Sequence, residues 1–297
     1  ETYPDKLMIS VCHSLIKMEH ITNMGGPITS NYFEQEITFQ YSDIVVLISK
    51  AEKQHYISFG YDKYEAIPHV IYNSYKPTLD TDPWRPNYEL NDIGYIGRHV
   101  PRKRPDLPIF AVEKSGRKDI RVFNMGVDYK GEQGNPFWED LGKKHPKQLV
   151  IIPFSSNKET ARFYWKSIGA NSITGIYEPF GYTMCETLDR RVPAIVQNID
   201  GPSEITANVQ DSVFVYEVDQ DFDKDVDNFL VATNNFWETH ADDRKAMAEH
   251  ARTALDDFRP EVIKLKWKEI LLNAQPRKIT GLATDQKTQK TTKGYGN

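Results

Sequence analysis

Short apolar runs alternate with amphipathic stretches along most of the chain, and this alternation is what most limits the fold. "KLMISVCHSL" (residues 6–15) and "SDIVVLISK" (42–50) read as buried strands. "SNYFEQEITFQY" (30–41) reads as a helix between them, and "KAEKQHYISFGY" (50–61) as a second helix before a short strand, "HVIYNS" (69–74). Strands that are apolar throughout and separated by helix-length segments call for a parallel sheet with crossover helices. After a proline-rich joint at 75–90 the pattern resumes. Strands are expected over 92–98, 120–126, 148–154, 172–178, 193–198 and 212–217. Helices are expected within 104–116 and over 157–169, 181–191, 224–240 and 244–258.

The sequence therefore predicts two α/β lobes. Residues 1–88 form a partial N-terminal lobe with its linker, 89–273 a complete second lobe, and 274–297 a basic, polar tail. The first lobe is short for its class, which normally opens with a strand and a glycine turn. The expectation is a fragment, or a second chain that completes that half. Net charge of −5 gives no hint of a nucleic-acid or membrane-surface protein. No apolar run reaches about 18 residues, so no membrane span is expected. Two cysteines, Cys12 and Cys185, make neither a disulfide framework nor a zinc site; they read as packing residues in a reducing cytoplasm.

The chemistry gathers around "YEPFGYTMCE" (177–186). Gly181 marks the change from strand to helix, where unpaired N–H groups and the positive end of the helix dipole favour phosphate. Glu186 falls on the second turn of that helix, where a carboxylate can accept two hydrogen bonds from a ribose diol. Glu178 lies before the turn, expected at the carboxyl end of a strand, which is the ligand edge of an open α/β sheet. Taken alone, the pair reads equally well as two surface carboxylates beside a helix start. Upstream, "GYIGRHVPRKRPDL" puts Arg98 and Lys103 after a strand and Gly97, placed to clamp a diphosphate.

Taken in order, these pieces resemble the family four glycosyltransferases. The matching residues are Gly97, Arg98 and Lys103, then Glu178-Pro179-Phe180-Gly181, then Glu186, then the Val192-Pro193 strand and the loop Gly201-Pro202-Ser203-Glu204-Ile205. The resemblance covers roughly residues 5–270. It implies a GT-B-like fold, two Rossmann-like lobes whose parallel sheets face a cleft, and sugar transfer from a nucleotide-diphosphate donor with retention of configuration. Arg98 and Lys103 would neutralise the diphosphate, Glu186 would hold the ribose, and Glu178 would face the donor sugar. Phe180, Gly181, Tyr182 and Thr183 would complete the phosphate cradle, and His13 matches a histidine near the donor sugar. Glu36 and Asp43 echo the family but read as packing groups.

UDP is the expected nucleotide. The acceptor (glycan, lipid, small molecule, protein or modified DNA) is not readable. No cofactor or metal is expected, since Arg and Lys take that work; Asp80-Thr81-Asp82, before Pro83, reads as turn chemistry. Three departures from the pattern stand out. The opening glycine loop is missing, Arg104 stands where the family often has glycine, and Asp189-Arg190-Arg191 is expected as an exposed helix end. The alternative from another class is a non-catalytic subunit that keeps the fold and needs a partner.

Overall fold

The computed structural model describes residues 6–23, 30–77, 86–126, 136–153, 155 and 157–276. Two parallel sheets carry the chain. The first has three strands, β1 (Ile9–Cys12), β2 (Ile44–Leu47) and β3 (Ile67–Val70), in the order β1-β2-β3. Register is direct, with Ile9 opposite Ile44 and Ile44 opposite Ile67. All four residues of β2 are buried, as a central parallel strand with both faces covered requires.

The second sheet has six strands: β4 (Ile93–Ile96), β5 (Val122–Gly126), β6 (Leu149–Pro153), β7 (Ala170–Ile173), β8 (Ala194–Gln197) and β9 (Phe214–Tyr216). Their order is β6-β5-β4-β7-β8-β9. From β4 the chain winds outward one way through β5 and β6, then returns to β7 on the other side. The crevice between β4 and β7 is thus the topological switch point, where such sheets hold ligands.

Helices follow in chain order: α1 (Ile16–Thr22), α2 (Ser30–Tyr41), α3 (Lys50–Ser58), α4 (Leu107–Ser115), α5 (Pro136–Lys144), α6 (Lys158–Ser167), α7 (Tyr182–Asp189), α8 (Asp200–Thr206), α9 (Phe222–Glu238), α10 (Ala241–Ala251) and α11 (Pro260–Asn273). Local chemistry sets many ends. Ser49 caps α3 by accepting the Glu52 N–H, and Asp221 caps α9 by accepting from Asp223 and Lys224. The last helix, α11, does not stay with the second sheet. Its Ile263 and Ile270 pack on Ile44 and Val46 of the first and on Ile71, just after β3.

Several expectations are corrected. The strand expected over 172–178 ends at Ile173, because the Ile176 N–H turns to the Arg102 carbonyl and the Thr174 hydroxyl to those of Lys103 and Arg104. Glu178 therefore sits in a loop beyond the strand rather than at its end. The strand expected over 69–74 is displaced to β3; the chain then leaves the sheet, and the Tyr75 N–H bonds to the Phe258 carbonyl. The Gly201–Ile205 segment, expected as a loop, lies inside α8. Helices α1, α5 and α11 lie where the sequence pattern predicts no element. The helix over 50–61 stops at Ser58, with Gly60 left-handed just after it. The one over 244–258 is α10 followed by 3-10 turns. Asp80–Asp82 and most of the tail lie outside the described residues.

Candidate active site

Two loops from the adjacent strands β4 and β7 make the floor of the site. Residues 97–106 follow β4, and residues 174–181 follow β7. Lys103 and Glu178, one from each loop, form an ion pair. Burial, with Arg102 and Arg98 close by, pulls the Lys103 ammonium down to about 7, against the opposing pull of Glu19. Arg98 is exposed at the loop's rim. Gly97 continues β4, its N–H bonded to the Met125 carbonyl.

Gly181 is the N-cap of α7 at φ 102°, a conformation that a side chain would strain. Phe180 is buried, with its ring 5.7 Å from that of Phe258. Its side chain is therefore committed to packing. Gly201 passes so close that an added Cβ would lie 2.3 Å from the Phe180 oxygen. Tyr182 is half exposed. Thr183 lies in the first turn of α7, and its carbonyl accepts from Thr187. Glu186, one turn further, is partly buried, which raises its carboxyl above the usual range against the opposing pull of Arg190.

The first lobe closes over this floor. His13, just beyond β1, is exposed and shares a cleft of about 520 Å³ with Tyr182, Tyr72 and Trp267. The lobes are tied by polar contacts. Glu204 of α8 accepts the Lys50 and Ala51 N–H groups at the start of α3, 2.9 and 2.6 Å away, and the Tyr72 hydroxyl at 2.6 Å. Asp200 meets His55 at 3.1 Å and also accepts the Glu178 N–H at 3.1 Å. Arg102, almost fully buried, donates to the Tyr177 carbonyl at 3.0 Å and to Glu19 of α1 at 3.1 Å. Glu52 of α3 receives the Tyr177 hydroxyl at 2.8 Å and the Leu15 N–H at 2.6 Å.

The structure thus brings Lys103 to Glu178 and sets His13 and Tyr182 on one cleft. Sequence reasoning missed Arg102, Tyr177, Glu52, His55 and Asp200, all of which hold the loops rather than form a motif. Arg102 alone offered a local signal, as a further cation between Arg98 and Lys103. The structure accounts for two of the departures from the family pattern. Arg104 is held within the second lobe. It sits at φ 42°, paired with the buried Asp225 and bonded to the carbonyls of Asp219 and Gln220. Asp189 is no exposed helix end; it is fully buried, receives the Tyr75 hydroxyl at 3.2 Å and faces Arg252. Cys12 and Cys185 are buried, and burial pushes both thiols up, so they are inert packing groups. Glu36 is spent on Tyr64 and Lys63, and Asp43 accepts the Met8 N–H.

Among the described residues no group of His, Cys, Asp and Glu is arranged to hold a metal. None of their helices is long and apolar enough to cross a membrane. A family model described as glycosyl transferases group 1 matches residues 80–253. Among solved structures, the sucrose-phosphate synthase of Thermosynechococcus elongatus is similar with a TM-score of 0.70 and 14% identity, over 89% of this chain and 67% of that one. HepE of Anabaena, in complex with UDP and glucose, gives 0.68 and 16%, over 90% and 72%. A TarM variant of S. aureus, in complex with Fondaparinux, alpha-GlcNAc-glycerol and UDP, gives 0.64 and 16%, over 90% and 50%. At such identities the likeness concerns the fold alone. The chain spans from half to under three quarters of the length of these three structures. No curated protein matches it.

Proposed function

The chain belongs to the glycosyl transferases group 1 family, and from that premise we propose that it transfers a sugar from a nucleotide-diphosphate donor to an acceptor with retention of configuration, as family four enzymes do. The observation that carries this reading is the meeting of Lys103 and Glu178 at the switch point, beside Arg98 and the N-terminus of α7. In this reading the diphosphate lies across the first N–H groups of α7, with Arg98 and Lys103 as counter-charges. Glu186 holds the ribose. Glu178, released from Lys103 as phosphate takes its place, faces the sugar, and His13 approaches from the first lobe.

The chemical demand is the departure of an anionic nucleotide while the sugar gains oxocarbenium character. Fixed cations in a closed, low-dielectric crevice stabilise that separation without reorganising. Closure also keeps water from competing with the acceptor. UDP is the proposed nucleotide, supported by the UDP held in HepE. A cytoplasmic setting and the absence of any cofactor belong to the same reading.

A second reading is favoured by one observation. Among the described residues the first sheet has three strands, and its outer strands β1 and β3 pair only with β2. Another polypeptide that supplies strands there would make this chain a partner-dependent subunit, active only in complex.

Thermal unfolding with UDP, GDP and ADP and their glucose and mannose conjugates tests both. A ligand at 100 times its dissociation constant adds about 2.7 kcal/mol, a rise of several degrees. One nucleotide is expected to give that rise, and Glu186→Ala to abolish it. No rise with any nucleotide would sink the donor site for the isolated chain and leave the subunit reading.

A further inference from the structure

One carboxylate touches both loops that bring side chains to the proposed reaction. Glu52 is fully buried at the start of α3, with its own N–H fixed by Ser49. Its Oε1 receives the Leu15 N–H at 2.6 Å, two residues after His13. The same oxygen receives the Tyr177 hydroxyl at 2.8 Å, one residue before Glu178. The Tyr177 oxygen in turn accepts the Leu15 N–H at 3.0 Å and lies 3.3 Å from the Ser14 hydroxyl. The loops therefore share a closed set of hydrogen bonds around one side chain.

We propose that Glu52 is a positioning residue, which through Leu15 and Tyr177 sets the first-lobe loop of His13 against the second-lobe loop of Glu178. This rests on the reading of those two residues given above. The geometry favours positioning over simple attachment of the lobes. Attachment is already supplied elsewhere, by Arg102 to Glu19, by Asp200 to His55, and by Glu204 at the start of α3. Glu52 differs in reaching both loops through one side chain, since Asp200 touches only the Glu178 side and Arg102 reaches Ser14 only through Glu19. A buried carboxyl is costly unless its hydrogen bonds are made, so the arrangement has one well-satisfied geometry. Misplacement of reacting groups by about 1 Å costs rate by up to two orders of magnitude.

Two variants test this, Tyr177→Phe, which removes a single hydroxyl, and Glu52→Ala. The first measurement is amide hydrogen exchange on the chain without nucleotide. Both variants are expected to speed exchange about tenfold or more at residues 13–16 and at 176–181 together, with β4, β5 and β8 unchanged. If Tyr177→Phe loosens only 176–181, the first-lobe loop does not depend on the bridge and the proposal is overturned. The second measurement compares dissociation constants for UDP and UDP-glucose. UDP affinity is expected to hold within about twofold, while the added affinity from the sugar falls about tenfold, because only the sugar lies between the two loops. An unchanged ratio of the two constants also overturns it. Failure of the parent chain to bind any nucleotide would instead remove the functional reading, and the exchange result would still decide the positioning role.

Discussion

Single residues carry consequences of two kinds here, through buried charge and through buried backbone. Glu52 titrates at about 7 in the folded chain, against an ordinary 4.5, chiefly because burial disfavours its charged form. The folded state thus keeps a proton that the unfolded chain releases between those values. Stability should fall as pH rises through that window, by up to about 1.4 kcal/mol per unit, and level off above it. Urea unfolding at pH 5 and pH 8 checks the sign: the parent chain should lose stability across the interval more steeply than Glu52→Gln, which cannot titrate. Arg104 supplies a second case. Removing it leaves Asp225 charged and fully buried, so Arg104→Ala should cost about 3–5 kcal/mol. Adding Asp225→Ala should recover much of that loss in the same unfolding assay, since the stranded charge goes with it. No local pattern announced this pair, whose members stand 121 positions apart.

At the level of elements, the loop before α7 matters more than the helix. Its course is set by two glycines. Gly181 supplies a positive φ, and Gly201 lets α8 lie against the Phe180 backbone. A methyl at Gly201 must push Phe180 away or push α8 outward, at a cost of about 1–3 kcal/mol. Gly201→Ala should therefore lower the melting temperature and weaken nucleotide binding in parallel, read from one titration series. The helix start at Gly181 was legible in the sequence, because a glycine before an apolar, helix-forming run is a local signal. The end of β7 was not. The sequence over 172–178 keeps strand-like composition, and only the carbonyls of Arg102, Lys103 and Arg104 draw it out of the sheet.

For the whole molecule, α11 decides how the halves combine. It leaves the second lobe and buries Ile263 and Ile270 on the first sheet, so the first lobe's core is completed by the chain's last described helix. Ile263→Ala should destabilise by about 2–4 kcal/mol. Because the residue sits on the first sheet, hydrogen exchange should show the loss at β2 and β3 before β5 and β6. Equal loss throughout would mean that the lobes unfold as one cooperative unit.

By itself the sequence determined the class of fold and singled out the residues proposed for the crevice. Apolar runs of strand length, helix-length spacers and a glycine at a helix start are local properties, and local properties show as periodicity and composition. The same holds for Arg98, Lys103, Glu178 and Glu186, which stand in short motifs. Tertiary structure alone decided that Lys103 pairs with Glu178, that Tyr177 reaches Glu52 across 125 positions, and that α11 returns to the first sheet. These contacts join side chains with no sequence period between them. They form because each buried polar group must find a partner and each apolar face a cover, wherever in the chain these lie.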